Sequence, residues 1–240
     1  MQRTKYSVAV FLMLAAAGLQ AGACGFFRDA TGPVKDPLMV AIWQGDRAAV
    51  GRLLSSQPTL DLRFTTCPGL TTTPLIAAVW ATDSRRGADH ESMVEFLLLH
   101  GASPDFSADG FTALHMAASL GNLAMVKMLL RFGASADPQS KEGTPLLLAV
   151  ENGQLALVQE LIAAGANIKV HDSIGNNLVA LAASQRHEEM VRFLVQLGID
   201  PCAKDNGGHD AIYWAGVNLN ENPHTQPIIG FLKSKCAVYD

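Results

Sequence analysis

Gly101, Gly133, Gly165 and Gly198 stand 32, 32 and 33 residues apart, and each closes the same kind of segment. "MVEFLLLHGASPD" (Met93–Asp105) returns as "MVKMLLRFGASAD" (Met125–Asp137), as "LVQELIAAGANIK" (Leu157–Lys169) and as "MVRFLVQLGIDPC" (Met190–Cys202). This period constrains the fold more than any single motif. A unit so short cannot bury its apolar side alone and must stack on copies of itself. Within one segment Val126, Leu129 and Leu130 fall at i, i+3 and i+4, which predicts the buried face of a helix.

The other half of the unit recurs as well, as "TTPLIAAVW" (Thr72–Trp80), "FTALHMAAS" (Phe111–Ser119), "GTPLLLAVE" (Gly143–Glu151) and "NNLVALAAS" (Asn176–Ser184). Thr73, Thr112 and Thr144 are placed to cap a helix N-terminus, and Pro74 and Pro145 suit the first helical position. Ala117, Ala118, Ala149, Ala182 and Ala183 allow close helix packing, and the glycine that ends each second helix suits a left-handed cap. An upstream "MVAIWQGDRAAVGRLLSSQP" (Met39–Pro58) reads as a first unit, and "DAIYWAG" with "PIIGFLKS" (Asp210–Ser234) as a degenerate last one.

This pattern resembles the ankyrin repeat, about 33 residues long with a T-P-L-H-x-A opening. The resemblance runs from residue 36 to residue 240. It implies an all-α ankyrin-repeat solenoid of about six helix-turn-helix units with short extended fingers. It also gives His115 a structural task, donating and accepting local backbone hydrogen bonds that tie adjacent units together. The residues read as its equivalents are Ile76, Leu147, Val179 and Tyr213, which could not replace a catalyst.

Ahead of the repeats, "MQRTKYS" carries Arg3 and Lys5, Val8–Leu19 is an unbroken apolar run, and "AGAC" follows. These are the regions of a secretory signal peptide, 1–23, with Ala21 and Ala23 fitting cleavage before Cys24. A membrane span needs about 20 apolar residues, so a permanent anchor is disfavoured. Removing two basic residues takes the net charge of −4 to −6. The processed chain begins with an N-terminal segment, 24–35, and keeps Cys24, Cys67, Cys202 and Cys236, an even number suited to an oxidising compartment. Cys24–Cys67 with Cys202–Cys236 is the simplest of three connectivities. Acylation of Cys24 is the alternative, because a cysteine after small residues resembles a lipobox; it would anchor the protein to a membrane and leave Cys67 odd. The expected location is the periplasm, and no N-x-S/T sequon occurs.

Motifs of catalysis are scarce. No phosphate loop, G-x-G-x-x-G, G-x-S-x-G, H-E-x-x-H or C-x-x-C is present, and the seven histidines are dispersed. The expectation is a non-enzyme without cofactor or metal. The acidic balance gives no support for nucleic-acid binding.

The resemblance implies instead that another protein binds on a concave groove made of finger tips and first-helix ends, the chain itself being a monomer. Alignment on "A-A-x-x-G" places there Trp43, Gln44, Trp80, Ala81, Ser119, Leu120, Glu151, Asn152, Ser184 and Gln185, with Phe111 at a finger. Trp43 and Trp80 share one register, and tryptophan is enriched at interface hot spots. The competing reading packs both on Gly25–Lys35. Trp214 sits earlier in its helix and reads as packing. Two insertions, Ala81–Ser92 and Asn218–Pro227, lengthen turns, and Arg85 and Arg86 in the first could meet a carboxylate-rich partner. By analogy with exported proteins of this kind, the roles to test are an immunity-type inhibitor of a toxic enzyme or an accessory of an oxidative-stress enzyme such as catalase. A small-molecule or enzymatic site in the groove is the reading from another class.

Overall fold

A computed structural model describes residues 36–56, 59–67, 70–82, 90–217 and 226–236. The signal peptide, Cys24, the 25–35 segment, Arg85 and Arg86 lie outside them. The described residues hold twelve helices in six successive pairs and one small hairpin, so the chain is all-α in class. It divides into two compact units, Met1–Glu142 and Gly143–Asp240.

In the first unit the pairs are α1 (Pro37–Gln44) with α2 (Arg47–Leu54), α3 (Pro74–Ala81) with α4 (His90–Leu99), and α5 (Ala113–Leu120) with α6 (Leu123–Arg131). Each first helix starts at a side-chain cap. Asp36 accepts from Leu38 N–H at 2.9 Å, and Thr73 Oγ1 accepts from Ile76 N–H at 3.2 Å. The three predicted threonine caps are all in place, each supplying an acceptor to an otherwise orphaned donor, worth about 1 kcal/mol. The first helices α1, α3 and α5 pack side by side. Their alanines make this close approach feasible, since Ala77, Ala78, Ala117 and Ala118 are all sealed from solvent.

His115 is fully buried in α5. Its Nδ1 accepts from Thr112 N–H at 3.1 Å, while Thr112 Oγ1 accepts in turn from His115 N–H at 3.5 Å. The histidine thereby completes a reciprocal cap of its own helix, a structural role, and these bonds lie within one unit where the resemblance implied a tie between adjacent ones.

The fingers are less regular than the helices. Among the described residues only one is a true hairpin, β1 (Phe64–Cys67) against β2 (Leu70–Thr72), antiparallel with Phe64 opposite Thr72. Neighbouring fingers are stitched by side chains: Ser103 N–H donates to Asp61 at 2.9 Å, Ser135 N–H to Asp105 at 2.9 Å, and Thr71 Oγ1 to Asp109 at 2.8 Å.

The second unit contains α7 (Pro145–Glu151) with α8 (Leu155–Ala163), α9 (Leu178–Ser184) with α10 (Glu188–Gln196), and α11 (Ala211–Gly216) with α12 (Gln226–Cys236). Its second helices bury Leu157, Val158 and Leu161, then Met190, Val191 and Leu194, then Ile228, Ile229 and Leu232. Met125, Val126 and Leu129 do the same in α6, each such side chain contributing about 1.5–3 kcal/mol by leaving water. Leu130 departs from the predicted face and is only half-buried.

The four repeating glycines all stand left-handed, with φ of 89°, 87°, 93° and 85° in chain order, as their helix-ending place demands. One register needs correction. Asn177 is the cap of α9, accepting from Ala180 N–H at 2.9 Å, so Ala180 rather than Val179 stands where α5 has His115. The Asn176–Asn177 doublet leaves a one-residue ambiguity in sequence, and the second asparagine takes the cap. Cys202 and Cys236 form the expected disulfide. Trp214, read as a core packing residue, is half-buried and donates Nε1–H to Asp205 at 3.0 Å.

Candidate protein-interaction surface

Because the first helices share a cap register, the seventh and eighth residues after each cap fall at equivalent places, the C-terminal ends of those helices. The side chains there depend on length. In the first unit Trp43 is half-buried and Gln44 exposed, Trp80 is half-buried above a buried Ala81, and Leu120 is half-buried. The residue directly before each indole is sealed, Ile42 before one and Val79 before the other. Trp43 and Trp80 each also take part in an interaction within the chain.

Besides the buried Ala81, two predicted contact residues are not on this edge. Ser119 is 5% exposed and Phe111 2% exposed. Serine at the tryptophan register ends one heavy atom beyond Cβ, beneath the rim that an indole crosses. Phe111 precedes the cap of α5 and turns inward, its ring stacked 5.0 Å from that of His115. Both belong to the core of the first unit.

In the second unit the same places are polar. Glu151, Asn152 and Ser184 are half-buried and Gln185 is exposed. Asn152 folds back to donate to Leu148 O at 2.7 Å, and Ser184 Oγ donates to Leu181 O at 2.8 Å. Glu151 differs, since burial pushes its carboxyl above the usual carboxylate range and the charge of Asp172 pushes the same way. Asp172 is itself held by Ile174 and Asn176 N–H groups, at 3.0 and 2.9 Å.

His187 was not among the sequence-predicted residues. It heads α10 without capping it, and donates from Nε2 to the Glu151 carbonyl at 2.9 Å. The equivalent residues Asp46 and Asn122 do cap their helices, so departure from a cap-forming type was the available signal. Exposed apolar side chains also lie off the edge, Tyr213 at 48% and Ile174 at 46%.

No group of three or more His, Cys, Asp or Glu side chains among the described residues is placed to hold a metal. No helix among them is long and apolar enough to cross a membrane. The arrangement offers aromatic and amide side chains at helix ends, which is chemistry for contact.

A family model described as "Ankyrin repeats (3 copies)" matches residues 38–142, 80–172 and 146–225, overlapping spans that cover most of the chain. No curated protein matches it.

Proposed function

The chain belongs to the ankyrin-repeat family, whose repeats are generally non-enzymatic modules of protein–protein interaction, and from that premise we propose that it is an exported protein that holds another protein against its first-helix ends. The observation that carries this reading is the pair Trp43 and Trp80. They occupy one register of consecutive repeats, each half-buried directly after a sealed residue, with water-facing rims. Large rigid aromatics add contact area at little entropic cost, which is why they dominate binding energy where they occur. Gln44, Leu120, Asn152 and Gln185 extend the surface on their respective units. Glu151, half-buried beside the like charge of Asp172, favours a partner that brings a basic side chain to it.

Export rests on the "VAVFLMLAAAGL" run and the small residues before Cys24, and the periplasm suits a chain bearing a disulfide. The partner in this reading is an enzyme that the protein silences, in the manner of an immunity protein. Surfaces built on stacked helices are preorganised, so little ordering entropy opposes tight association.

The test is capture of partners from the native envelope by the processed protein and, in parallel, by the Trp43→Ala/Trp80→Ala variant. A single enzyme held and inhibited by the wild type and lost by the variant supports the reading. An enzyme held but left active points to an accessory role such as a catalase partner. Identical capture by both proteins removes the tryptophans from the interface and assigns them to packing on 25–35.

A further inference from the structure

The last pair is built differently from those before it. α11 is six residues long and buries only Ala211 and Ala215. α12 packs on α11 and α10, and among the described residues no helix follows to cover its far side.

Two kinds of bond hold this end, and they are distributed unequally. The finger before α11 is fastened to the preceding repeat without help from sulfur. Asn177 donates to Asp200 O at 2.7 Å and Asn206 N–H donates to Ile174 O at 3.1 Å, while within the finger Asp205 accepts from Gly207 and His209 N–H, each at 2.8 Å. Among the described residues, no hydrogen bond of that kind fastens α12. Its named ties are the face of Ile228, Ile229 and Leu232, the Arg192 guanidinium 4.5 Å over the Phe231 ring, and the bond from Cys236 back to Cys202 in the finger. That bond spans 34 residues of sequence and so closes over the whole pair. Both cysteines are only half-buried, within reach of a thiol from outside.

We propose that Cys202–Cys236 is a redox latch on the end of the second unit, whose reduction releases α12 while the finger and α7–α10 keep their fold. The reductant is a dithiol. One of its thiolates attacks a sulfur of the bond to form a mixed disulfide, and its second thiolate displaces that sulfur. Two electrons pass to Cys202 and Cys236, two protons follow to make two thiols, and the dithiol leaves as a disulfide. Release uncovers the Ile228–Ile229–Leu232 face together with the surface of α10 and α11 beneath it. In an oxidising compartment the latch rests closed.

Hydrogen exchange of the full chain tests this, with and without excess dithiothreitol, beside a Cys202→Ser/Cys236→Ser variant that leaves Cys24 and Cys67 untouched. The expected result is a loss of protection of roughly 10²-fold over 226–236 on reduction and in the variant, from the loop-closure entropy that the bond removes. Protection over 145–163 stays unchanged. Undiminished protection of α12 in the reduced protein overturns the proposal, as does a simultaneous loss across the second unit, which would make the bond a staple of the whole. A bond that dithiothreitol leaves intact in the folded chain, judged by intact mass, overturns it as well. None of these outcomes depends on whether Trp43 and Trp80 bind a partner.

Discussion

The Nε2–H of His187 meets the carbonyl of Glu151 at 2.9 Å, and the same imidazole lies against the turn that follows α7. A Cβ added to Gly153 would come within 2.6 Å of that ring, on a backbone already at φ 68°. One histidine therefore joins two successive pairs of the second unit, and one glycine leaves room for it.

Gly153→Ala is expected to destabilise the protein by about 1–3 kcal/mol, from left-handed strain and displacement of the ring. His187→Ala is expected to cost about 1 kcal/mol through the lost bond. Urea unfolding of both, and of the double variant, checks the coupling. If the glycine's cost comes from the ring, it shrinks in the His187→Ala background. An undiminished cost would assign it to backbone strain alone.

Glu151 carries a pH dependence of definite sign. Burial first, and then the charge of Asp172, hold its carboxyl above the usual range. Folding therefore disfavours the ionised form, and this penalty disappears as pH falls through the folded value. Glu151→Gln is expected to stabilise the protein at neutral pH by about 0.5 kcal/mol, a figure kept small because the side chain is partly screened by water. The gain should vanish in acid. Melting temperature against pH measures it, and a loss of stability at neutral pH would contradict the repulsion.

Asp205 has the opposite sign. The His209 N–H lowers its carboxyl most, with Trp214 Nε1–H and Gly207 N–H lowering it further against a desolvation that raises it. Its contribution is complete above the ordinary aspartate range and is lost as pH falls through the depressed folded value. Asp205→Asn should lower the melting temperature at neutral pH and flatten the acid limb of the curve. A variant curve parallel to the wild type across that limb would show that Asp205 does not supply the linkage.

His115→Ala is expected to cost about 2–4 kcal/mol, since it opens a cavity in α5 and removes the reciprocal cap with Thr112. The residue is scaffold, so partner capture by the folded fraction should match the wild type when measured below the variant's melting temperature. Lost capture by well-folded protein would give His115 a role in binding.

Trp43→Ala and Trp80→Ala should each weaken partner binding by about 2 kcal/mol if the indoles are interface anchors. The accompanying change in melting temperature should be small. Calorimetry on the captured partner and thermal melting of the free protein separate the two quantities. A large drop in melting temperature with unchanged affinity would place both rings in packing.

The period of the glycines, the threonine caps and the i, i+3 rows determined the fold class, because helix ends and apolar faces are decided by residues close in sequence. The Thr112–His115 cap belongs to the same local class, its two residues standing three positions apart. Legibility failed where the deciding neighbour was distant or where reach mattered. Ser119 and Trp80 share a register, yet only the longer side chain gets to the rim, and Phe111 turned inward to stack on His115. Asn176 and Asn177 were equally good caps until the chain had to enter α9 at one of them. The tie from His187 to Glu151 joins residues 36 positions apart. Helices were written locally in this sequence, whereas burial and cross-repeat bonds depend on which surfaces meet, and only the folded chain brings those surfaces together.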